Sequence, residues 1–582
     1  MNSSSAYTNK NRLQKRFREL TSPTRERFAK RIKMSYDNPS EDLKLKPDPE
    51  ETKDYFHGFS GSPRLVARTG HDHWTKTLYE YGWNETLVQH EKCYMALEDP
   101  GIIGKWCKNL SISIIEALGH CEWAYFFPIR TCLREGQHLQ KSAAATILLV
   151  AVKPASLEWE DGIKIALSCR DIMRKFMIFD VEVEIMEGQY TQHAASTRLE
   201  ALLSPEYPRT TETILPLLSH PGYSIAYLED RPGEGTVGLH IKLGADESTV
   251  YGLTCRHVVC GGRAKHESYK PSADNRRYYI SGSEGHLRRL QSNLDSRLRN
   301  TRMDLDWQQD PIKKWDNWYQ YDNPKNIPPP TEKDRLQLQR LQASVDYHTS
   351  VAQVLKDIEN RKERQIGHLA YYPSSSISAR QPGYLRDWAL VELDVRKFTL
   401  PPANKIFLGP SSVQCGILDW ELTMKPRIIF KPMAVSKIGQ RTGLTHGTAS
   451  GIEAVVRRPR KDGPAEYSWE MLIVPEEGTS YFSQGGDSGS AVFNHMGQVV
   501  AIVTASNEGD PIEWRGVPNE SSSSPLRVQH FKDQGVAPQD ADDTPASEIV
   551  NIPRGTDVTF AAPIQWVLDD IEDFTGQKPR LA

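Results

Sequence analysis

The sequence contains no hydrophobic run long enough to cross a membrane and no apolar segment near its start. The longest mostly apolar stretch, residues 143–152, has about half of the roughly 20 residues that a membrane-spanning helix needs. Residues 1–17 also lack the apolar core of a secretory signal peptide. We therefore expect an intracellular protein, cytoplasmic or nuclear, that is not secreted and does not bind a membrane.

Cysteine is sparse, and its spacing is not that of the common metal and disulfide frameworks. The eight cysteines contain no CxxC pair, which predicts reduced thiols in a reducing compartment. No nucleotide-binding glycine loop and no metal-ligand cluster stands out in the sequence. We therefore expect neither a cofactor nor a metal.

The chain as a whole also has no large excess of positive or negative charge. The net charge of −3 gives no overall attraction to nucleic acid, and no fold motif predicts nucleic-acid binding. One local exception is residues 10–33, which hold ten Lys and Arg against two Glu. This run predicts a solvated tail, and a nuclear-import signal or an organelle presequence is the alternative.

A chain of 582 residues exceeds one hydrophobic core, and changes in composition suggest where it divides. A continuous apolar run at 145–152 and an alternating run at 180–187 indicate strands, with a helical pattern between them. Prolines cluster from residue 201 to 235, and short strands with turns follow. The predicted segments are a disordered basic tail at 1–53, an α/β accessory domain at 54–200, a linker at 201–223, a first β-barrel at 224–425 and a second β-barrel at 426–582.

Leucines at three- and four-residue spacing among many charges interrupt the first predicted barrel. They predict two helices, joined by a proline-rich turn, that form a helical hairpin inserted at 280–366; a charged, partly disordered loop is the alternative. In the second barrel, the serine-, proline- and acid-rich residues 508–552 predict a disordered loop. An amphipathic pattern near the end of the chain predicts a C-terminal helix. The predicted fold class is mainly β.

Three short motifs meet the needs of nucleophilic catalysis. A serine hydroxyl needs a base within hydrogen-bond reach, a carboxylate that orients the base, and backbone N–H groups aimed at the oxyanion. The motif GGDSGSAVF presents Ser488 at a glycine-rich turn, with the N–H groups of Gly486 and Ser488 as the predicted oxyanion hole. Asp487 is predicted to support this loop by pointing inward to a cationic or hydrogen-bonding partner. His257 ends a β-rich run, and Asp387 directly precedes an apolar strand.

Each motif has a structural alternative when it is taken alone: a hairpin turn, a histidine at a strand end, and an aspartate at a strand start. Asp394, Asp304 and Asp306 compete with Asp387, but none of them precedes an apolar run in the same way. The order His, Asp, Ser, with a glycine-rich hairpin at 437–451 between Asp and Ser, favours a catalytic triad.

The sequence resembles chymotrypsin-like, trypsin-fold serine peptidases across about residues 224–572, and it is most similar to large, mostly uncharacterised fungal intracellular members of that group. The resemblance lies in LTCRHVV, IGHLAYYP, DWALVEL, TGLTHGTASGIE and GGDSGS, and, before the barrels, in ILLVAVKPASLEWEDG and IFDVEVEIME. It implies two antiparallel six-stranded β-barrels with the site in the cleft between them, and peptide-bond hydrolysis through an acyl-enzyme. It gives His257 the role of base, Asp387 that of its orienting group and Ser488 that of nucleophile.

Two features depart from the family pattern. Ser490 follows Gly489 where animal digestive enzymes have a second glycine, and no obvious activation site supplies a new N-terminus for Asp487. We therefore expect an enzyme that is active without cleavage, processes itself, or depends on a regulatory partner. The N-terminal region is the candidate for self-inhibition.

The substrate pocket is predicted from positions near the nucleophile. Phe482 stands six residues before Ser488, where trypsins have an acid, and Thr504, Ala505 and Ser506 are predicted to line the neighbouring wall. An uncharged pocket predicts a small, apolar or uncharged polar residue at the cleaved position of a protein or peptide substrate. The competing functions are a catalytically silent trypsin-fold binding or scaffold protein, and an esterase.

Overall fold

The computed structural model places part of the chain in defined positions. The basic run at 10–33 and the predicted loop at 508–552 lie outside the described residues, and so do residues 201–219 of the predicted linker. Of the predicted tail, only residues 46–53 are described, and most of them belong to a first helix. The structure describes residues 46–81, 86–136, 138–191, 220–229, 233–260, 267–271, 276–319, 330–357, 359–378, 383–398, 401–407, 415–417, 432–460, 463–507 and 557–582.

The N-terminal part of the described chain is a mixed sheet with helices packed on it. Its central strand, β7, is buried on both faces, which explains the continuous apolar run in its sequence. The next strand, β8, runs parallel to β7 and is reached through helix α4. The elements are α1 (Pro49–Asp54), β1 (Leu65–Arg68), β2 (Leu78–Tyr81), β3 (Thr86–Gln89), β4 (Glu91–Met95), α2 (Pro100–Lys105), a π turn (Trp106–Leu110), α3 (Ser111–Leu118), β5 (Trp123–Glu135), β6 (His138–Leu139), a short 3₁₀ turn (Lys141–Ala143), β7 (Ala145–Val152), α4 (Trp159–Lys175) and β8 (Glu182–Glu187).

The middle of the chain contributes most of an eight-stranded antiparallel sheet. Its strands lie in the order β10-β9-β13-β14-β15-β12-β11-β24, and the described pairings leave it open. The elements are β9 (Ser224–Tyr227), β10 (Glu234–Thr236), β11 (Leu239–Leu243), β12 (Tyr251–Thr254), α5 (Arg256–Cys260), β13 (Tyr278–Ser281), α6 (Glu284–Tyr319), α7 (Glu332–Asp357), β14 (Gln365–Tyr371), β15 (Ala389–Leu393), a 3₁₀ turn (Val395–Lys397), β16 (Lys405–Phe407) and β17 (Cys415–Ile417).

The C-terminal part closes six strands into a ring. They pair in the order β19-β18-β21-β22-β23-β20, and β20 pairs back with β19. An apolar cluster fills the ring, and a further helix packs beside the eight-stranded sheet. The elements are β18 (Met433–Gly439), β19 (Gly443–Arg458), β20 (Glu466–Pro475), β21 (Ala491–Asn494), β22 (Val499–Ser506), β23 (Thr559–Pro563), α8 (Ile564–Thr575) and β24 (Pro579–Leu581).

The N-terminal sheet and the ring share backbone hydrogen bonds. Strand β5 pairs antiparallel with β19, with Phe126 opposite Val455 and Tyr125 opposite Val456. The indole of Trp106 also donates to the carbonyl of Glu453 at 2.8 Å. The sheet formed by the predicted accessory segment at 54–200 is therefore joined to the ring through β5 and β19.

Helices α6 and α7 form a hairpin between β13 and β14. Leucines of α6 and apolar residues of α7 make a small core of their own, separate from the cores of the sheets. None of the helices in the described ranges is long and apolar enough to span a membrane. The chain is thus mainly β, with one ring of strands, one open sheet, an N-terminal mixed sheet and this helical hairpin.

Candidate active site

Pairing between β12 and β15 brings the predicted base and its orienting carboxylate together. Thr254, at the end of β12, lies opposite Ala389, at the start of β15. His257 follows in α5, and Asp387 immediately precedes β15. The N–H of Arg256 donates to the carbonyl of Asp387 at 3.2 Å, which fixes the two segments against each other.

Both carboxylate oxygens of Asp387 engage His257. Oδ1 accepts the backbone N–H of His257 at 2.9 Å, and Oδ2 lies 2.6 Å from the ring Nδ1. Because an ionised carboxylate only accepts hydrogen bonds, Nδ1 carries the proton and Nε2 of the neutral ring keeps its lone pair. Nε2 is buried and has no hydrogen-bond partner within the described part of the chain. The ring is therefore held with one nitrogen ready to accept a proton.

The residues on either side of Asp387 are anchored to helix α8. The guanidinium Nε of Arg386 donates to both oxygens of Asp570, at 3.0 and 2.9 Å, and the indole of Trp388 donates to the same carboxylate at 2.6 Å. Alternate residues of an extended chain point to opposite sides. Two anchors on one side therefore direct the carboxylate of Asp387 to the other side, where His257 lies.

Ser488 lies in a tight turn between β20 and β21. The N–H of Asp487 donates to the carbonyl of Gln484, and that of Ser490 to the carbonyl of Asp487, each at 2.9 Å. Gly486 has φ +105°, a conformation that residues with a side chain rarely adopt. The Ser488 side chain is buried at 1% exposure, and its Oγ donates to the carbonyl of Thr504 at 3.4 Å.

The side chains of Ser488 and His257 are not hydrogen-bonded to each other in this structure. The serine hydroxyl is directed to the carbonyl of Thr504, and Nε2 of the imidazole has no partner among the described residues. Any proton transfer from Ser488 to His257 would require the serine hydroxyl to leave the Thr504 carbonyl.

Backbone contacts nevertheless place the Ser488 turn against the strands that lead to His257. The N–H of Thr236 donates to the carbonyl of Ser488 at 2.9 Å. A Cβ atom on Gly235 would lie 2.4 Å from a methyl of Val258 and 3.0 Å from that same carbonyl oxygen. Only glycine fits at this point, because the nucleophile's turn and the residue after the histidine both approach it closely.

The predicted oxyanion donors are Gly486 and Ser488. Across the described ranges, no hydrogen bond engages the backbone N–H of either residue. The carbonyl of Gly486 is held on the other side, by the hydroxyl of Thr236 at 2.9 Å and by the amide of Gln440 at 3.2 Å. The turn is therefore fixed through its carbonyl while the two N–H groups stay available to a substrate oxygen.

Asp487 points inward and is fully buried. Its Oδ1 accepts the N–H groups of Arg441 and Thr442, at 2.9 and 3.2 Å, and its Oδ2 accepts the Thr442 hydroxyl at 2.6 Å and the N–H of Gln484 at 3.0 Å. The ammonium of Lys437, itself fully buried, lies 3.2 Å from Oδ2. Burial raises the pKa of Asp487, but the Lys437 charge and these hydrogen bonds outweigh it and hold that pKa below its ordinary value.

The four predicted pocket residues make internal contacts. Phe482 is fully buried in the apolar cluster inside the ring, so its side chain packs in a core. The hydroxyl of Thr504 donates to Glu470, and Ala505 packs in the cluster beneath the N-terminal sheet. Ser506 bridges by its backbone to Thr191.

Cys255 completes a cluster with His257 and Asp387. Their donor atoms all lie within 4.8 Å of one another, which is a spacing that could hold a metal ion. Burial, followed by the charge of Asp387, raises the pKa of Cys255 well above its ordinary value. A thiol that keeps its proton is a poor metal ligand, because the thiolate is the coordinating form. The thiol instead donates to the carbonyl of Val503 at 3.1 Å.

Several residues around this site were not identified from the sequence. The glycine-rich hairpin at 437–451 was noted only for its place between Asp387 and Ser488, yet Lys437, Gln440 and Thr442 all contact the turn that carries Ser488. A usable signal was the lone lysine in the otherwise mostly apolar β18. A search of protein-family models found no match to this chain, and a search of curated proteins found none either.

Proposed function

We propose that this protein is a serine-type endopeptidase that hydrolyses peptide bonds of a protein or peptide substrate through His257, Asp387 and Ser488. The observation that carries the proposal is the double engagement of His257 by Asp387, at 2.9 Å to the backbone N–H and 2.6 Å to the ring. This geometry fixes the tautomer that a general base needs.

The proposed reaction uses only groups of this chain and water. His257 Nε2 takes the proton of Ser488 as Oγ attacks the scissile carbonyl, and the N–H groups of Gly486 and Ser488 bind the oxyanion. The imidazolium, stabilised by Asp387, then protonates the leaving amine and leaves an acyl-enzyme. Water attacks the acyl group with His257 as base, which releases the acid and restores Ser488.

The proposed fold is the chymotrypsin-like pair of six-stranded antiparallel β-barrels. The ring from β18 to β23 supports the second barrel, and the open sheet that includes β9–β15 supports the first. His257 follows β12 and Asp387 precedes β15 of the open sheet, whereas Ser488 lies in a turn of the ring, and the hydrogen bond from Thr236 to the Ser488 carbonyl joins the two parts. We further propose an intracellular location and an uncharged residue at the cleaved position.

A catalytically silent binding protein is the second candidate, and one observation favours it. Ser488 is 1% exposed and its hydroxyl donates to the Thr504 carbonyl instead of the His257 ring. A protein that stays in this form would bind partners on the same fold without turning over a substrate.

Labelling with a fluorophosphonate probe, combined with peptide and ester turnover, separates these functions. We expect the wild-type chain to be labelled, Ser488→Ala and His257→Ala to lose labelling, and the exposed Ser292→Ala to keep it. A peptide cleaved faster than the matching ester supports a peptidase, and the reverse supports an esterase. Labelling of Ser488→Ala at the wild-type rate, or a folded wild type that is never labelled, overturns the proposal.

A further inference from the structure

The helical hairpin begins beside the turn that carries Ser488, and a short run of hydrogen bonds connects the two. We propose that His286, in the first turn of α6, is a positioning residue that holds the oxyanion loop through Gln440, so that the inserted hairpin sets the activity of the site. This inference rests on the proposed peptidase function. It concerns residues other than the three proposed catalytic ones.

The first step joins the hairpin to the ring of strands. Nδ1 of His286 lies 2.9 Å from the amide oxygen of Gln440, between β18 and β19, and the His286 side chain is buried. An amide oxygen can only accept a hydrogen bond, so Nδ1 of His286 is the donor. This bond fixes which way the amide of Gln440 faces, because its NH₂ group must then point away from His286.

The second step joins Gln440 to the oxyanion loop. The NH₂ group of Gln440 donates to the carbonyl of Gly486 at 3.2 Å, beside the hydroxyl of Thr236. A Cβ atom on Gly486 would lie 2.3 Å from the Gln440 nitrogen, so the amide packs directly on the backbone there. The peptide unit so held lies between the two predicted oxyanion donors. This unit carries the Gly486 carbonyl and the Asp487 N–H, and it joins the two peptide units that carry the oxyanion donors. A change in its orientation would alter the backbone angles of Gly486 and Asp487 and so disturb the alignment of the two N–H groups, which must be preorganised to be effective.

Several hydrogen bonds hold the base of the hairpin. The buried Arg364, just before β14, bonds the carbonyl of Gly282 and donates to Glu284 at 2.7 Å. The hydroxyl of Ser283 caps α6 by accepting the N–H of His286 at 2.9 Å. Glu234, buried beside this cap, has an oxygen 4.0 Å from Nδ1 of His286. His286 therefore moves with the start of α6.

The rest of the hairpin has a small core of its own, separate from the cores of the sheets. Helix α6 has 36 residues, which corresponds to a length of about 54 Å. Met303 and Trp307, one turn apart, are 69% and 79% exposed, so this face of α6 is not covered by the described chain. A small tilt of so long a helix would shift His286 relative to Gln440, and the interaction is steep in distance and angle.

Substitutions at both ends of the bond to Gln440 test the inference. His286→Ala removes the donor, whereas His286→Asn keeps an N–H donor close to the place of Nδ1. Gln440→Glu replaces the NH₂ group that faces the Gly486 carbonyl with an oxygen, which cannot donate. Gln291→Ala, at an exposed position on the same helix, is the matched control.

We expect His286→Ala and Gln440→Glu to lower kcat about 10- to 100-fold with KM changed less than threefold, because a lost oxyanion donor costs about 10²- to 10³-fold and these residues act indirectly. Affinity for a peptide boronate should fall by the same factor as kcat. The kcat of His286→Asn should recover to within about threefold of the wild-type value, and the kcat of Gln291→Ala should equal the wild-type value. A fall in KM and kcat together, or no rescue by His286→Asn, overturns the inference.

Amide hydrogen exchange of residues 482–490 gives a readout that does not need activity. We expect faster exchange in this segment for His286→Ala, wild-type exchange for His286→Asn, and no change elsewhere in the ring. If the wild-type protein neither cleaves peptide nor reacts with the probe, the proposed function fails while this measurement still decides the coupling. Unchanged exchange in His286→Ala overturns the coupling itself.

Discussion

Replacing Lys437 with methionine should destabilise the ring of strands, because it leaves the carboxylate of Asp487 buried without its cation. Both side chains are fully buried, with Nζ 3.2 Å from Oδ2. Removing one partner of a buried ion pair costs about 3–5 kcal/mol. The hydrogen bonds from Gln484, Arg441 and Thr442 remain, so we expect the lower end, about 3 kcal/mol.

Thermal unfolding is the assay. A loss of about 3 kcal/mol corresponds to a fall in Tm of about 6–12 °C for a cooperative unit of 150–250 residues. The matched control is Lys242→Met: its partner Glu247 is 74% exposed, so the variant should keep a Tm close to that of the wild type. The double variant Lys437→Met with Asp487→Asn removes both charges and should recover part of the loss.

The pH dependence gives a second test of the same pair. The pKa of Asp487 is held below its ordinary value, so its ionised form stabilises the fold above the unfolded pKa, and this contribution is lost as the pH falls through the folded pKa. Without the Lys437 charge that pKa rises, and the variant should lose stability at a higher pH than the wild type. Equal Tm values and the same acid transition in both proteins would refute this reasoning.

Three further predictions concern the site and its surroundings. Asp387→Asn should lower kcat about 10⁴-fold in a folded protein, because an amide N–H facing Nδ1 moves the proton of His257 to the other nitrogen; activity near wild type would contradict this. Gly238→Ala should cost about 2 kcal/mol in urea unfolding, because its Cβ would lie 2.1 Å from a carbonyl oxygen of the facing loop, whereas Gly104→Ala, with open space around it, should not destabilise. Burial raises the pKa of Glu453 to about 7, so its proton stabilises the fold at low pH and this contribution is lost as the pH rises through 7. The Tm of Glu453→Gln minus the Tm of the wild type should therefore be larger at pH 8 than at pH 5. An equal difference at both pH values would count against this reasoning.

The sequence predicted the parts of this site that depend on local pattern. His257 and Asp387 each adjoin an apolar strand, and Ser488 lies between glycines, so short stretches of sequence indicated all three. The continuous apolar run at 145–152 likewise indicated β7, whose apolar residues belong to clusters on both faces of the sheet.

The partners of Ser488's turn could not be predicted, because they depend on contacts between segments far apart in the chain. Lys437 and Gln440 lie about 50 residues before Ser488, and His286 lies in an insertion within the other sheet. Counting six residues back to Phe482 gives a position in the chain, and only the structure shows that its side chain is fully buried in the apolar cluster inside the ring of strands.

The pairing of β5 with β19 holds the N-terminal sheet and the C-terminal ring together without help from the chain that connects them. A backbone cut between residues 191 and 220 would leave both fragments joined by the Phe126–Val455 and Tyr125–Val456 pairings and by the apolar side chains around them. Such a nicked molecule should migrate as one species on gel filtration and separate only under denaturing conditions. A chain shortened to begin after the cut would instead carry an open strand edge, which is a template for aggregation.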